Sequence, residues 1–143
     1  MYGPGVNGHT EASDMRLAYD PEASKKLLAD AGYPQGFGVT MDCPNDRYVN
    51  DEAICQAVTA MLARVGVKVT LNAQTRLKYF AEINTPEYKT SFFLLGWTPN
   101  TYDAHNAFFN LLGTRNGVRG VINDGGYSNP DLDALIDRMA VET

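Results

Sequence analysis

The sequence predicts an α/β fold, a βαβαβ core with a mainly parallel sheet flanked by helices, on three observations. Phe37, Val39, Met41 and Cys43 alternate with Gly38, Thr40 and Asp42, and Val67, Val69, Leu71 and Ala73 alternate with Lys68, Thr70 and Asn72. That period of two is the mark of a strand with one buried face. A third run, Ser91 to Leu95, is apolar on both faces, as a central parallel strand is. Helical patterns lie between the runs, and the right-handed crossover rule then sets the three strands parallel in one sheet.

Residues 1–19 carry Gly3, Pro4 and Gly5 near their start and show no periodicity, so they read as an extended lead-in. Asp20-Pro21-Glu22 is a helix start, with a capping side chain, proline at the first helical position and an acid at the positive end of the dipole. Leu27, Leu28 and Ala31 share a face of this helix, and Gly32 and Pro34 stop it. After the first strand, Pro44 to Tyr48 is turn-rich. Asn50 is the expected cap of a second helix with Ile54, Val58, Met61, Leu62 and Val65 on its apolar stripe and Gly66 at its end. A short helix with Leu77, Phe80 and Ala81 inward is expected before Pro86. Beyond the third strand come an apolar segment, Ala107 to Leu112, and a stretch from Gly113 to Gly126 whose glycines read as turns. A final helix opens at Asn129-Pro130-Asp131 and buries Leu132, Leu135, Ile136 and Met139.

A chain of 143 residues is one domain's worth, long enough to bury about 68 to 70% of its unfolded surface. Its apolar runs are too short to span a bilayer as a helix. The net charge of −5 comes with no basic stripe, which argues against a nucleic-acid partner. The opening MYGPGVNGHTEASDMR lacks the pattern of a signal peptide, so the chain reads as cytoplasmic or as an internal piece of a longer protein. Cys43 and Cys55, twelve apart and without a nearby histidine, do not make a zinc site. They read as two buried thiols or as a disulfide, which geometry rather than spacing decides.

In an open parallel sheet, ligands lie in the crevice at the carboxyl ends of the strands. Two loops are expected there. After the first strand, Arg47 offers a fork of donors that matches a carboxylate and Tyr48 an aromatic wall. After the third, Trp97, Asn100, Tyr102, Asp103, His105 and Asn106 offer stacking and hydrogen bonds. Each alone reads as an ordinary loop residue, and Trp97 as a core anchor; together at one edge they point to a ligand site. No nucleophile elbow or triad pattern occurs, and the Gly113–Gly126 spacing fits neither dinucleotide nor phosphate-loop motifs. Asp103 and His105 are too few ligands for a closed metal site. No cofactor is expected.

Four segments, YDPEASKKLLADAGYPQGF, NDEAICQAVTAMLARVGVKVTLNAQ, FFLLGWTPNTYDAHNAFFNLL and YSNPDLDALID, together resemble the bacterial extracellular solute-binding proteins of the peptide, nickel and opine type. The resemblance covers nearly the whole chain. It implies one lobe of a periplasmic-binding-protein-like fold, with residues 20–143 as part of the second lobe and residues 1–19 as a lead-in. It implies capture of a peptide or similar small solute for an ABC importer, outside the cytoplasm, with a first lobe and membrane subunits as partners. In dipeptide-binding members, an arginine before the long helix meets the ligand carboxylate and an aspartate shortly after the Gly-Trp pair meets its amine. Arg47 matches the first position, while Asn100 stands where those members have an acid, so that Asp103 is the remaining acid in the loop. Tyr102-Asp103-Ala104-His105 also resembles a Tyr-Asp-Pro-His stretch of nickel-type members, which keeps a metal-chelate ligand open. The rival readings are a small α/β enzyme with Asp103 and His105 as an acid–base pair, and an interaction module with no small ligand.

Overall fold

The computed structural model describes residues 3–84 and 90–142. The chain forms two compact units, one of Ala18–Leu95 and one of Met1–Leu17 with Gly96–Thr143.

The first unit is built on two parallel strands, β1 (Phe37–Pro44) and β2 (Val67–Gln74), paired in register from Phe37 opposite Val67 to Pro44 opposite Gln74. Helix α1 (Pro21–Asp30) precedes β1, α2 (Asp51–Ala63) forms the crossover and α3 (Arg76–Ile83) follows β2. The Asp20 carboxylate caps α1 by accepting the Ala23 N–H at 2.9 Å, with Pro21 in the first turn. The strands enter the sheet side by side at two glycines. Gly36 has φ +71°, and a Cβ there would lie 1.9 Å from the Gly66 carbonyl oxygen, so any side chain would force the strands apart.

The third predicted strand is reduced to a single parallel bridge between Phe93 and Asp42. The Asp42 N–H donates to the Phe92 carbonyl at 3.0 Å, and the Leu94 N–H donates to the Asp42 carbonyl at 3.1 Å. The next rung would need an N–H from residue 44. That residue is proline, which has none, and the Leu94 carbonyl instead accepts the hydroxyl of Tyr79. The sheet is parallel as expected, but its ladder on this side stops after one step.

Met41, Cys43 and Cys55 form the heart of the core, with Val58, Val69, Leu71, Phe92 and Leu94 packed around them. Cys43 and Cys55 are joined by a disulfide, their Cα atoms 6.6 Å apart. The bridge turns Cys55 inward, so the buried stripe of α2 is rotated from the expected one, leaving Ile54 and Met61 exposed. On α3 the expected inward residue Leu77 is 80% exposed, and Tyr79 and Ile83, one turn apart, are buried instead. Tyr79 both fills the core and satisfies the Leu94 carbonyl, which Leu77 could not do. Asn50 does not cap α2: it lies at φ +59° with no side-chain cap bond.

In the second unit the lead-in does more than run extended. Residues Glu11–Asp14 form a short 3-10 turn capped by Thr10, and Asn7 pairs with the chain around Asp103, its N–H donating to the Tyr102 carbonyl at 2.7 Å while its carbonyl accepts the Ala104 N–H at 3.0 Å. Helix α4 (Ala104–Ala107) passes into a π-helical turn, Phe108–Leu112. Helix α5 (Pro130–Met139) is capped by Asn129 and buries Ile136, whereas Leu135 and Met139, expected inside, are exposed.

The stretch from Gly113 to Gly126 is ordered by side chains. Gly120 has φ +70°, and a Cβ there would lie 2.3 Å from the Gly113 carbonyl oxygen. Buried Asn123 donates to the Gly113 and Tyr127 carbonyls at 2.9 and 2.7 Å and accepts the Tyr127 N–H at 3.0 Å. Arg115 pairs with buried Asp124 at 3.1 Å, and Arg119 pairs with Asp133 and Asp137 at 3.2 and 2.7 Å. Burial pushes the Asp124 carboxyl up, with Arg115 pulling it back.

Candidate functional site

The loop between β1 and α2 presents Arg47 and Tyr48 at the carboxyl end of the parallel pair. Arg47 is exposed, and its guanidinium carbon stands over the Tyr48 ring, 4.9 Å from its centre, within cation–π range. The start of the loop is tied to the end of β2 and the first residue of α3. The Asn45 N–H donates to the Gln74 carbonyl at 2.8 Å, and the Asp46 carboxylate accepts the Arg76 N–H. Its middle is tied by Asp51, the first residue of α2: one carboxylate oxygen accepts the N–H groups of Arg47 and Tyr48, each at 2.9 Å, and the other accepts that of Glu52 at 2.9 Å. These backbone donors, that of Tyr48 first, hold the Asp51 carboxyl below the usual carboxylate range. Such a loop can meet a carboxylate with a charge-assisted, two-pronged contact.

In the other unit, Trp97 is half-buried and its indole N–H donates to the Asn106 side chain at 3.1 Å. Asn100 is exposed in a turn. Tyr102 has φ +53° and is 72% exposed, so its ring is presented outward by a backbone conformation that side chains other than glycine seldom adopt. Asp103 is already engaged: one carboxylate oxygen accepts the Asn7 amide at 2.8 Å, and the other caps α4 by accepting the His105 N–H at 2.8 Å. Both bonds, that from Asn7 foremost, lower its carboxyl below the usual range. The His105 ring lies 5.4 Å from that of Phe109, and its Nε2 is buried without a hydrogen-bond partner among the described residues. Asp103 and His105 therefore meet through a backbone N–H, as in a helix cap. A cavity of about 210 Å³ opens beside them, lined by Asn7, Gly8, Asp103, Ala104, Met139 and Glu142.

The predicted residues thus fall into two groups. Arg47 and Tyr48 stand together in one unit, and Trp97, Asn100, Tyr102, Asp103 and His105 in the other. Within the first unit, Phe92 to Leu94 runs parallel to β1. Sequence reasoning overlooked two residues that organise these loops. Asp51 was passed over beside Asn50, and Asn7 sat in a segment without periodicity; the available signal was an acid directly after a turn-rich loop.

The model of the bacterial extracellular solute-binding proteins, family 5 Middle, matches residues 1–118. The chain is 32% identical over 118 residues to the glutathione-binding protein GsiB of Pectobacterium atrosepticum, covering 80% of this chain and 23% of that protein. It is 30% identical over 121 residues to GsiB of Escherichia coli, covering 82% and 23%. Among solved structures, the A. tumefacien binding protein AgaA in complex with agropinic acid superposes with a TM-score of 0.83 at 25% identity, over 99% of this chain and 28% of that one. A Pseudoalteromonas dipeptide-binding protein in complex with Met-Leu gives a TM-score of 0.72 at 25% identity, over 87% and 25%. The chain spans about a quarter of the length of the curated relatives it matches.

Proposed function

The chain belongs to the bacterial extracellular solute-binding proteins of family 5, and we propose that it is the part of such a protein that supplies one wall of the ligand cleft, in its second lobe. The ligand is a peptide or a similar small solute bearing a carboxylate. In the first unit Arg47 takes the carboxylate with Tyr48 as an aromatic wall; in the second, Trp97 and Tyr102 offer aromatic faces, Asn100 and Asp103 orient polar groups, and the His105 ring lies against Phe109. The observation that carries this reading is the Arg47 loop, tied down at the carboxyl end of a parallel strand pair with its guanidinium exposed over Tyr48. The names of the relatives, a glutathione-binding protein, a binding protein in complex with agropinic acid and a dipeptide-binding protein in complex with Met-Leu, fit the same chemistry.

The role is capture without catalysis: the protein hands its ligand to the membrane subunits of an ABC importer, and the remainder of a longer chain supplies the facing lobe. The Cys43–Cys55 disulfide suits an oxidising, extracytoplasmic compartment. The enzyme reading loses its support with the Asp103–His105 geometry, since the carboxylate is spent on Asn7 and on the His105 backbone. Half a cleft buries half a ligand, so the 143-residue chain should bind weakly. Titration with glutathione, followed by amide NMR, should move the signals of residues 44–50 and 97–106, and Arg47→Ala should remove the response. Shifts confined to other parts of the chain would overturn the reading, as would a calorimetric affinity in the micromolar range or tighter for the chain alone.

A further inference from the structure

We propose that Asp51 is the positioning residue of the ligand loop, the group that holds the backbone at Arg47 and Tyr48 so that the guanidinium is presented ready for a carboxylate. The inference rests on the reading of Arg47 given above and adds to it the residue on which its geometry depends.

Asp51 is 4% exposed, and a carboxylate is buried at a cost unless donors surround it. Here the donors are three backbone N–H groups, from Arg47, Tyr48 and Glu52. A carboxylate that served only to start α2 would need the last of these. The first two come from the loop itself, three and four residues back, and they converge on a single oxygen. The disulfide cannot do the same work: it joins the end of β1 to the second turn of α2 and so fixes the ends of the loop without touching its middle. Neither does Asn50, whose side chain makes no cap bond. With the two N–H groups fixed on Asp51, the Cα–Cβ directions of Arg47 and Tyr48 are set, and the guanidinium comes to lie over its neighbour's ring. A loop ordered before the ligand arrives does not have to be ordered by it, which is the usual gain of preorganisation.

The test is hydrogen exchange and glutathione titration of the 143-residue chain, followed by NMR, for the wild type and Asp51→Asn. An amide side chain offers one oxygen in place of two and turns an NH2 toward the loop donors or the Glu52 donor. Exchange of the Arg47 and Tyr48 amides should rise about tenfold or more while the amides of β1 and β2 stay as they were, because a hydrogen bond to a charged acceptor is lost locally. The glutathione-induced shift at Arg47 should shrink with it. Unchanged exchange at Arg47 and Tyr48 overturns the proposal; so does faster exchange with an undiminished response to glutathione. If the wild type itself fails to respond to glutathione at residues 44–50, the carboxylate reading of Arg47 falls, and the exchange result alone then decides whether Asp51 holds the loop. Should Asp51→Asn not fold, the wild type decides: its Arg47 and Tyr48 amides must exchange more slowly than that of exposed Val49, and equal rates overturn the proposal.

Discussion

In the unit of Ala18–Leu95, backbone groups find partners in β1, β2 and the helices beside them, and side chains are left free to fill a core around Met41, Cys43 and Cys55. In the unit that holds residues 113–126 the roles are exchanged. There Asn123 takes the carbonyls of Gly113 and Tyr127, the Asp133 carboxylate takes the Thr114 N–H, and the Asn116 side chain takes the N–H groups of Val118 and Arg119. A segment without regular structure must satisfy its backbone somehow. Within this stretch it does so with short polar side chains, and Asn123 and Asp124 are buried among the groups they serve.

The comparison makes graded predictions. Removing apolar volume should hurt the first unit most: Tyr79→Ala is expected to cost about 3 to 5 kcal/mol, the range for emptying a buried aromatic site, measured by urea unfolding. A cost below about 1 kcal/mol would show that the core does not lean on α3. Next, reduction of the Cys43–Cys55 bridge, or the double change to serine, should lower stability by about 3 kcal/mol, as expected for a closed loop of this size. In the second unit the sensitive position is polar. Asn123→Ala, which strands two carbonyls and one N–H, should cost about 2 kcal/mol, and a silent substitution would break the contrast between the units.

A smaller effect is expected from acid. The Thr114 hydroxyl and N–H hold the Asp133 carboxyl below its usual value of 3.8. A folded-state value below the unfolded one means stability that is present above pH 3.8 and is lost as the pH falls through the depressed value. Asp124 runs the other way: its raised carboxyl contributes most in acid, and that contribution fades as the pH rises through its folded value. Asp133→Asn should therefore flatten the loss of melting temperature below pH 3.8, and a slope equal to that of the wild type would remove Asp133 from the account. The least effect belongs to Leu77→Ala, expected to stay within about 0.5 kcal/mol because the side chain is already in water. It makes the direct counterpart to Tyr79→Ala two residues away.

Much of the first unit was legible because period and punctuation carry physical meaning locally. The alternation of Phe37 to Cys43 and Val67 to Ala73, the Asp20-Pro21 start and the glycine stops all reappear as expected elements. What went astray were rotations and extents. The α2 stripe turned to admit the disulfide, α3 turned to bring Tyr79 to the Leu94 carbonyl, and the third strand stopped where Pro44 has no N–H to offer. Of the candidate site, the residue types at Arg47 and Tyr48 could be read directly. The carboxylate behind them could not, because a buried Asp51 and an exposed acid in a helix's first turn look alike in one dimension.

The amino-acid sequence by itself determined which segments become strands and helices, that β1 and β2 run parallel, and that an arginine–tyrosine pair follows the first strand, since these depend on neighbours a few residues apart. Only the tertiary structure decided which helix faces turn inward, that the two cysteines meet, and that Asp103 answers to Asn7, ninety-six residues away, and to the cap of α4. Those outcomes depend on satisfying buried polar groups and filling a shared core, and both are set by residues distant along the chain.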